Sequence, residues 1–408
     1  MVIQEFEGHK ITVSELLKVI PESLLSQLSE NTQVDYYSKV LHGKKLFYLL
    51  LYGIVNSEKL SQRSLEDTFN DSIFKLLFNL DPKEKVRRSS ISERLSKIDS
   101  NFFKEIYDSI YSQFSDLYSC TERTKYNLIR VDSSIVSDLS GRLIDGLDGN
   151  TGKKAVKYSI AFDGILPCQS EVFTEQKYFS EDKALPKVVS AHVKKENGHQ
   201  NLYIMDRGLQ STRNMKEFNQ QDISFVARLK ENRKYQELEP FIKKDISLDL
   251  GELTLIKDSK ILLYTGQPVE NKKGNIHYRE ELVNEPFRLI IAKNKENPVK
   301  EFWFITNDFE LSAKEITDAY RRRWDIEVFF RFIKQELNVS HLVSLNKNGI
   351  EVILYMTLIV AMLILIYKHI NNIGYTTAKR RFGMEVRDLA IALLVIQCGG
   401  NPDLMFKT

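Results

Sequence analysis

The run from Val352 to Tyr367, VILYMTLIVAMLILIY, constrains this chain more than any other segment, because a helix apolar on every side must be wrapped by something. It falls short of the roughly 20 residues a bilayer requires, and Lys368 and His369 follow it directly. The expectation is the buried centre of a soluble domain, with no membrane partner. At 408 residues, 42% hydrophobic and 28% charged, the chain has enough apolar material to enclose such a helix. Two or three domains are expected.

Lysine and arginine number 58 against 55 acidic residues, a net charge of only +3, so any nucleic-acid surface must be local. Cys120, Cys168 and Cys398 lie far apart without metal-ligand spacing. They read as small buried hydrophobes in a reducing compartment. The opening MVIQEFEGHKITVSELL carries early acidic residues and no apolar stretch of secretory type, so a cytoplasmic protein is the expectation.

Residues 1 to about 120 show helical periodicity, as in LFYLLLYGIV (46–55), without strand alternation. Within them KEKVRRSSISERLSKI (83–98) sets Ser90 three residues before Glu93, a capping-box pattern after a basic run. This is either a helix presented to DNA or a solvated surface helix. From about 125 short strands appear: NLIRVD (127–132), KYSIAFDG (157–164), QSEVFT (169–174) and LYIMD (202–206). They announce an α/β core. A second strand-rich stretch, 230–306, carries LTLIKDSKILLYT, RLIIAK and EFWFIT around the loop QPVENKKGN, and the chain is helical thereafter, through RDLAIALLVIQ. The expected division is a helical region (1–120) that holds this candidate DNA-binding helix, an α/β core (121–345) with a β-rich insertion (about 230–306), and a helical carboxy-terminal region (346–408) that completes the core and is a candidate for dimerisation.

The segment LSAKEITDAYRRRWDIEVFFRFIKQEL (311–337) opens with a Ser312 to Glu315 capping box, which predicts one helix over 313–337. At about 100° per residue, Tyr320, Arg323, Glu327, Arg331 and Lys334 share an arc of roughly 80°, with Trp324 at its border. Ile326, Phe329, Phe330 and Ile333 fall on a separate apolar face. A carboxylate among three cations suits a metal ligand flanked by phosphate contacts. Arg323 and Glu327 are also an i, i+4 pair, so an intrahelical salt bridge is the plain alternative.

The spacing Tyr320, Arg323, Glu327, Lys334, within FITNDFELSAKEITDAYRRRWDIEVFFRFIKQEL, resembles the Tyr-Arg-Glu-Lys signature of the insertion-sequence-four family of bacterial DDE transposases. Two further blocks match in order. NLIRVDSS offers Asp132 and LYIMDRG offers Asp206, separated by 74 and then 121 residues from the next acidic member. FVARLK (225–230) matches a family strand carrying an arginine, Arg228. Leu209 departs from the pattern, where members often have an aromatic residue.

The resemblance implies a ribonuclease-H-like core in which Asp132, Asp206 and Glu327 are catalytic and hold two Mg²⁺ ions, with Mn²⁺ as substitute. It implies cleavage at transposon ends and strand transfer into target DNA, with a DNA hairpin in many members. Tyr320, Arg323 and Lys334 would hold phosphates of the terminal strand, Trp324 and Arg331 would line it, and Arg228 would join them. Double-stranded DNA is the implied partner, with a homodimer on paired ends and a nucleoid-associated cytoplasmic location.

Overall fold

The computed structural model describes residues 10–402 apart from 116, 118–125, 139, 150–151, 194–200, 242–248 and 271–275. Cys120 and part of the loop QPVENKKGN therefore lie outside the described residues. Up to residue 117 the described chain is helical: α1 (Val13–Leu17), α2 (Glu22–Thr32), α3 (Gly43–Asn56), α4 (Gln62–Asn70), α5 (Ser72–Leu77), α6 (Arg88–Lys97) and α7 (Ser100–Phe114). Side chains fix several of the starts, as where Thr12 and Glu15 form a capping box on α1 and Asp99 accepts from Asn101 N–H on α7.

One expected start moves. Helix α6 begins at Arg88, because the Arg87 carbonyl already accepts from Ser90 and Ile91 N–H at 3.0 and 3.2 Å. Ser90 thus sits inside the first turn and caps nothing, and Glu93 pairs forward with Lys97 at 2.6 Å.

The apolar run becomes the centre of α12 (Lys347–Ile370), started by Asn346, whose side chain accepts from Asn348 and Gly349 N–H. It is long and apolar enough to cross a membrane, yet its most apolar window is 83% buried inside the fold. Helices α3, α6 and α7 and the last helix, α13 (Tyr375–Gln397), enclose it. Leu50 and Ile54 of α3, Leu95 of α6 and Ile110 of α7 share one core with Leu358, Met362 and Ile366. The amino-terminal helices therefore bury their apolar faces against a segment more than 200 residues away in sequence.

The strands form one sheet: β1 (Asn127–Ser137), β2 (Leu147–Asp148), β3 (Lys154–Phe162), β4 (Pro167–Phe173), β5 (Asn201–Met205), β6 (Ser224–Leu229), β7 (Tyr235–Pro240), β8 (Leu253–Glu270), β9 (Ile276–Leu282), β10 (Phe287–Asn294) and β11 (Glu301–Thr306). Their order is β2-β3-β1-β5-β6-β11-β10-β8-β7, with β4 on β3 and β9 on β8. β1, β3 and β4 are antiparallel, whereas β5 and β6 run parallel to β1 through crossovers containing α8 (Glu181–Val193) and α9 (Thr212–Gln220). This three-strand meander continued by two parallel strands is the ribonuclease-H-like arrangement. β11 pairs antiparallel with β6, so the 230–306 stretch enlarges the same sheet.

Side chains alternate between the faces of the strands. Ile129, Val131, Tyr203, Met205, Phe225 and Ala227 pack with α8 and α9 on one face. Leu128, Leu202, Ile204 and Val226 face the other way, against α10 (Ala313–Arg321). Arg130, Asp132 and Arg228 have the parity of this second set.

Candidate active site

Asp132 and Asp206 come together because β1 and β5 are parallel neighbours with Val131 opposite Met205. The next residue of each strand is an aspartate. Asp206 directly follows the last residue of β5, but β1 runs on to Ser137, paired with β3, so Asp132 sits opposite Ile160 and not at a strand end. What ends at Asp132 is the pairing with β5, and that is what opens the sheet beside its carboxylate.

The expected single helix over 313–337 is two helices. The Ser312 and Glu315 capping box is present and starts α10, which stops at Arg321, and α11 spans Trp324–Glu336. Between them the backbone tightens to three-residue bonds: Arg323 N–H donates to Tyr320 O at 2.9 Å and Asp325 N–H to Arg322 O at 3.1 Å. Phe329 of α11 stacks on Phe162 of β3, with ring centres 4.8 Å apart, which seats the helix on the sheet.

Arg323, at this junction, faces all three candidate carboxylates. Its Nη1 lies 3.6 Å from Asp132 Oδ2 and its Nε 3.7 Å from Asp206 Oδ1. Its Nη2 donates to Glu327 Oε1. The i, i+4 salt bridge thus exists, yet the same guanidinium also serves two aspartates from the sheet. Among the described residues no group of three or more His, Cys, Asp or Glu side chains is drawn around one point as the ligands of an ion would be. The carboxylates are instead spread around Arg323, whose Nε is buried without a hydrogen-bond acceptor.

Burial pushes the Asp132 carboxyl up to about 7; Ser133 N–H and Arg323 oppose the rise, and Asp206 and Glu181 add to it. Tyr320 donates its hydroxyl to Asp206 Oδ1 at 3.3 Å. Burial, and then the negative charge of Asp206, raise that phenol to about 12. Lys334 is lowered by burial, with Asp132 near enough to offset part of the effect. Arg228 stacks on Phe302, 4.4 Å from its ring centre. Trp324 is 53% exposed, and Arg331 lies 5.9 Å from its ring. Leu209 is fully buried in the apolar layer beneath the Asp206 loop.

Sequence reasoning missed Glu181, at the start of α8. It accepts from Ser133 Oγ at 2.7 Å and pairs with the fully buried Lys157 at 3.0 Å. It also fills the space over Gly208, where a Cβ would lie 2.5 Å from Glu181 Cγ. The glycine two residues after Asp206 was the one available signal, since such a position often marks a close approach.

The geometry defines three carboxylates gathered around the Arg323 guanidinium, two of them where the pairing of the central parallel strands β1 and β5 ends in a ribonuclease-H-like sheet. The family described as the transposase DDE domain matches residues 125–363, and the chain belongs to it. It is similar to the putative transposase for insertion sequence element IS4SA of Synechocystis sp. strain PCC 6803, 26% identical over 285 residues, which are 69% of this chain and 72% of that one. It is also similar to the probable transposase for insertion sequence element IS5377 of Geobacillus stearothermophilus, 28% identical over 152 residues, 37% of this chain and 35% of the other. Among solved structures it is similar to a piggyBac transposase in a synaptic complex with hairpin DNA, at 10% identity and a TM-score of 0.49, over 95% of this chain and 81% of that one. The chain is an insertion-sequence DDE transposase, an enzyme of DNA transposition that breaks and joins phosphodiester bonds; the family generally works with divalent metal ions.

Proposed function

We propose that this transposase cuts its element out and pastes it elsewhere, with Asp132, Asp206 and Glu327 as the catalytic carboxylates. The observation that supports this most is the convergence of these three, from two parallel strands and one helix, on the single guanidinium of Arg323. Three hard oxygen donors around a shared positive charge fit divalent cations, and favour Mg²⁺ or Mn²⁺ over zinc. Two such ions, when bound, would neutralise the scissile phosphate and activate the attacking oxygen.

The surrounding side chains have separable tasks. Arg323, just before α11, would serve as a phosphate contact. Tyr320 keeps its proton at working pH and so remains a hydrogen-bond donor. Lys334, near enough to feel the charge of Asp132, offers a second phosphate contact, and Arg228, over the ring of Phe302, a third. The exposed ring of Trp324 is free to stack on an unpaired base, with Arg331 along the same strand.

Double-stranded DNA, as transposon ends and target, is the proposed partner, in a nucleoid-associated cytoplasmic setting. The amino-terminal region contributes the exposed Lys83, Lys85 and Arg87, from the segment between α5 and α6, and Arg88, at the start of α6, to end binding. Exposed Ile391, Leu394 and Ile396 near the end of α13 support pairing with a second copy on paired ends.

The deciding experiment is strand cleavage of DNA carrying the element's terminal inverted repeats in Mg²⁺, beside a binding assay in Ca²⁺, for wild type, Asp132→Asn, Asp206→Asn and Glu327→Gln. Each variant is expected to bind and to lose cleavage. Cleavage by Glu327→Gln within about tenfold of wild type would overturn the assignment, because a mere surface salt bridge contributes about 0.5 kcal/mol.

A further inference from the structure

Arg130 is fully buried, two residues before Asp132 on β1. Its Nη1 donates to Leu128 O and to Asp163 O, both at 2.7 Å. Its Nε donates to Arg322 O at 3.2 Å, and its Nη2 to Asp325 Oδ2 at 2.8 Å. The first two acceptors belong to the sheet and the turn after β3. The last two flank Arg323 in the junction between α10 and α11. One guanidinium therefore fastens the strand that carries Asp132 to the helix break that carries Arg323 and, one turn on, Glu327.

Two further observations show that the chain is arranged around this contact. Gly164 follows Asp163 with φ +105°, and a Cβ there would lie 2.7 Å from Arg130 Nη1. Only glycine accepts that backbone conformation readily and admits the guanidinium. The segment Tyr320 to Asp325, moreover, contains neither glycine nor proline, so its own residues give no reason for a helix to stop there. Arg130 supplies the reason, because it binds a carbonyl at the break and the first-turn carboxylate of the new helix.

We infer that Arg130 is a positioning residue, a clamp between β1 and the α10–α11 junction that sets where Arg323 and Glu327 stand relative to Asp132. This rests on the proposed role of the three carboxylates. Arg130 touches no substrate. Its effect passes through the junction, where a displacement of about 1 Å costs on the order of a hundredfold in rate. Lysine in its place keeps one charge for Asp325 but, as a single point donor, does not reach four acceptors around a plane.

The test compares Arg130→Lys with wild type and with Glu327→Gln in the full chain, reading cleavage rate, end binding in Ca²⁺, and amide hydrogen exchange. Arg130→Lys is expected to lower the cleavage rate at saturating DNA about a hundredfold with end affinity within threefold. Exchange should quicken over residues 320–327 and stay unchanged over α12, which a general loss of stability would also quicken. A rate within threefold of wild type, or faster exchange spread evenly over both segments, overturns the clamp. If Glu327→Gln itself cleaves, the carboxylate assignment has failed instead. Should Arg130→Lys not fold, Asp325→Asn weakens the same clamp from its half-exposed end. There a tenfold loss of rate is expected, and a change under twofold is fatal to the proposal.

Discussion

The two halves of the molecule bury different things. Around α12 the interior is largely apolar: Thr357 and Tyr367 of α12 donate to Ile353 O and Glu385, Tyr107 of α7 to Pro167 O, and the buried ammonium of Lys75 on α5 to Pro82 O and Glu84 O. The sheet half encloses charge: Arg130, Lys157, Asp163, Asp258 and Arg288 are all buried. In the first half stability follows filled volume. In the second it is conditional on partners, because an ion taken out of water is tolerated only when paired and hydrogen-bonded. The site stands where the two meet: α11 shares the core of the helical half, while both aspartates come from the sheet.

The contrast is most exposed to test at Arg288. It holds Asp258 through two parallel bonds, Nε to Oδ1 at 2.8 Å and Nη2 to Oδ2 at 2.7 Å, far from the candidate site in the sheet order. Arg288→Met strands a buried carboxylate and is expected to cost about 3–5 kcal/mol, whereas Arg288→Met with Asp258→Leu recovers most of that. Chemical denaturation of the single and double variants checks it. Equal losses in both would show that the sheet half is stabilised by volume after all, and the comparison would fall.

In the helical half the expected loss is smaller and of another kind. Leu363, fully buried in α12, leaves a cavity on replacement by alanine and costs about 2–4 kcal/mol. Below the melting transition, cleavage and its metal requirement should match wild type. A changed metal requirement in Leu363→Ala would mean that the core of α12 sets the site's geometry, and that the two halves are not separable.

How far this was legible in the sequence divides along the same line. Apolar content and period showed the central helix and the helical amino-terminal half, because burial of volume is a property of local pattern. Asp132 and Asp206 were legible through the resemblance of NLIRVDSS and LYIMDRG to the family's blocks, each at the close of an apolar strand pattern. The break at Arg322 and Arg323 was not legible, because the group that fastens it lies 192 residues away on β1. Glu181 was hidden for the same reason: its partner Ser133 is 48 residues distant. Where the fold depends on paired charge, local sequence names one partner and leaves the other to tertiary structure.

The finest test lies at the boundary itself, with Lys334. It sits on α11, partly buried, near enough to Asp132 to feel its charge. If it is a structural ion of the sheet half, its removal should lower stability and leave DNA affinity unchanged. If it waits for a phosphate, Lys334→Ala should leave stability within about 0.5 kcal/mol, as for an ordinary partly exposed position. End binding should weaken, and the slope of log affinity against log salt should fall by about 0.7–0.9, the contribution of one released counterion. The slope decides, because a general loosening of the site lowers affinity at every salt concentration alike, and only the loss of a phosphate contact changes how affinity depends on salt. Titrations of end DNA in Ca²⁺ at several salt concentrations, for wild type and Lys334→Ala, measure it directly. A slope identical to wild type would move Lys334 from the DNA interface into the set of buried charges that hold the sheet half together.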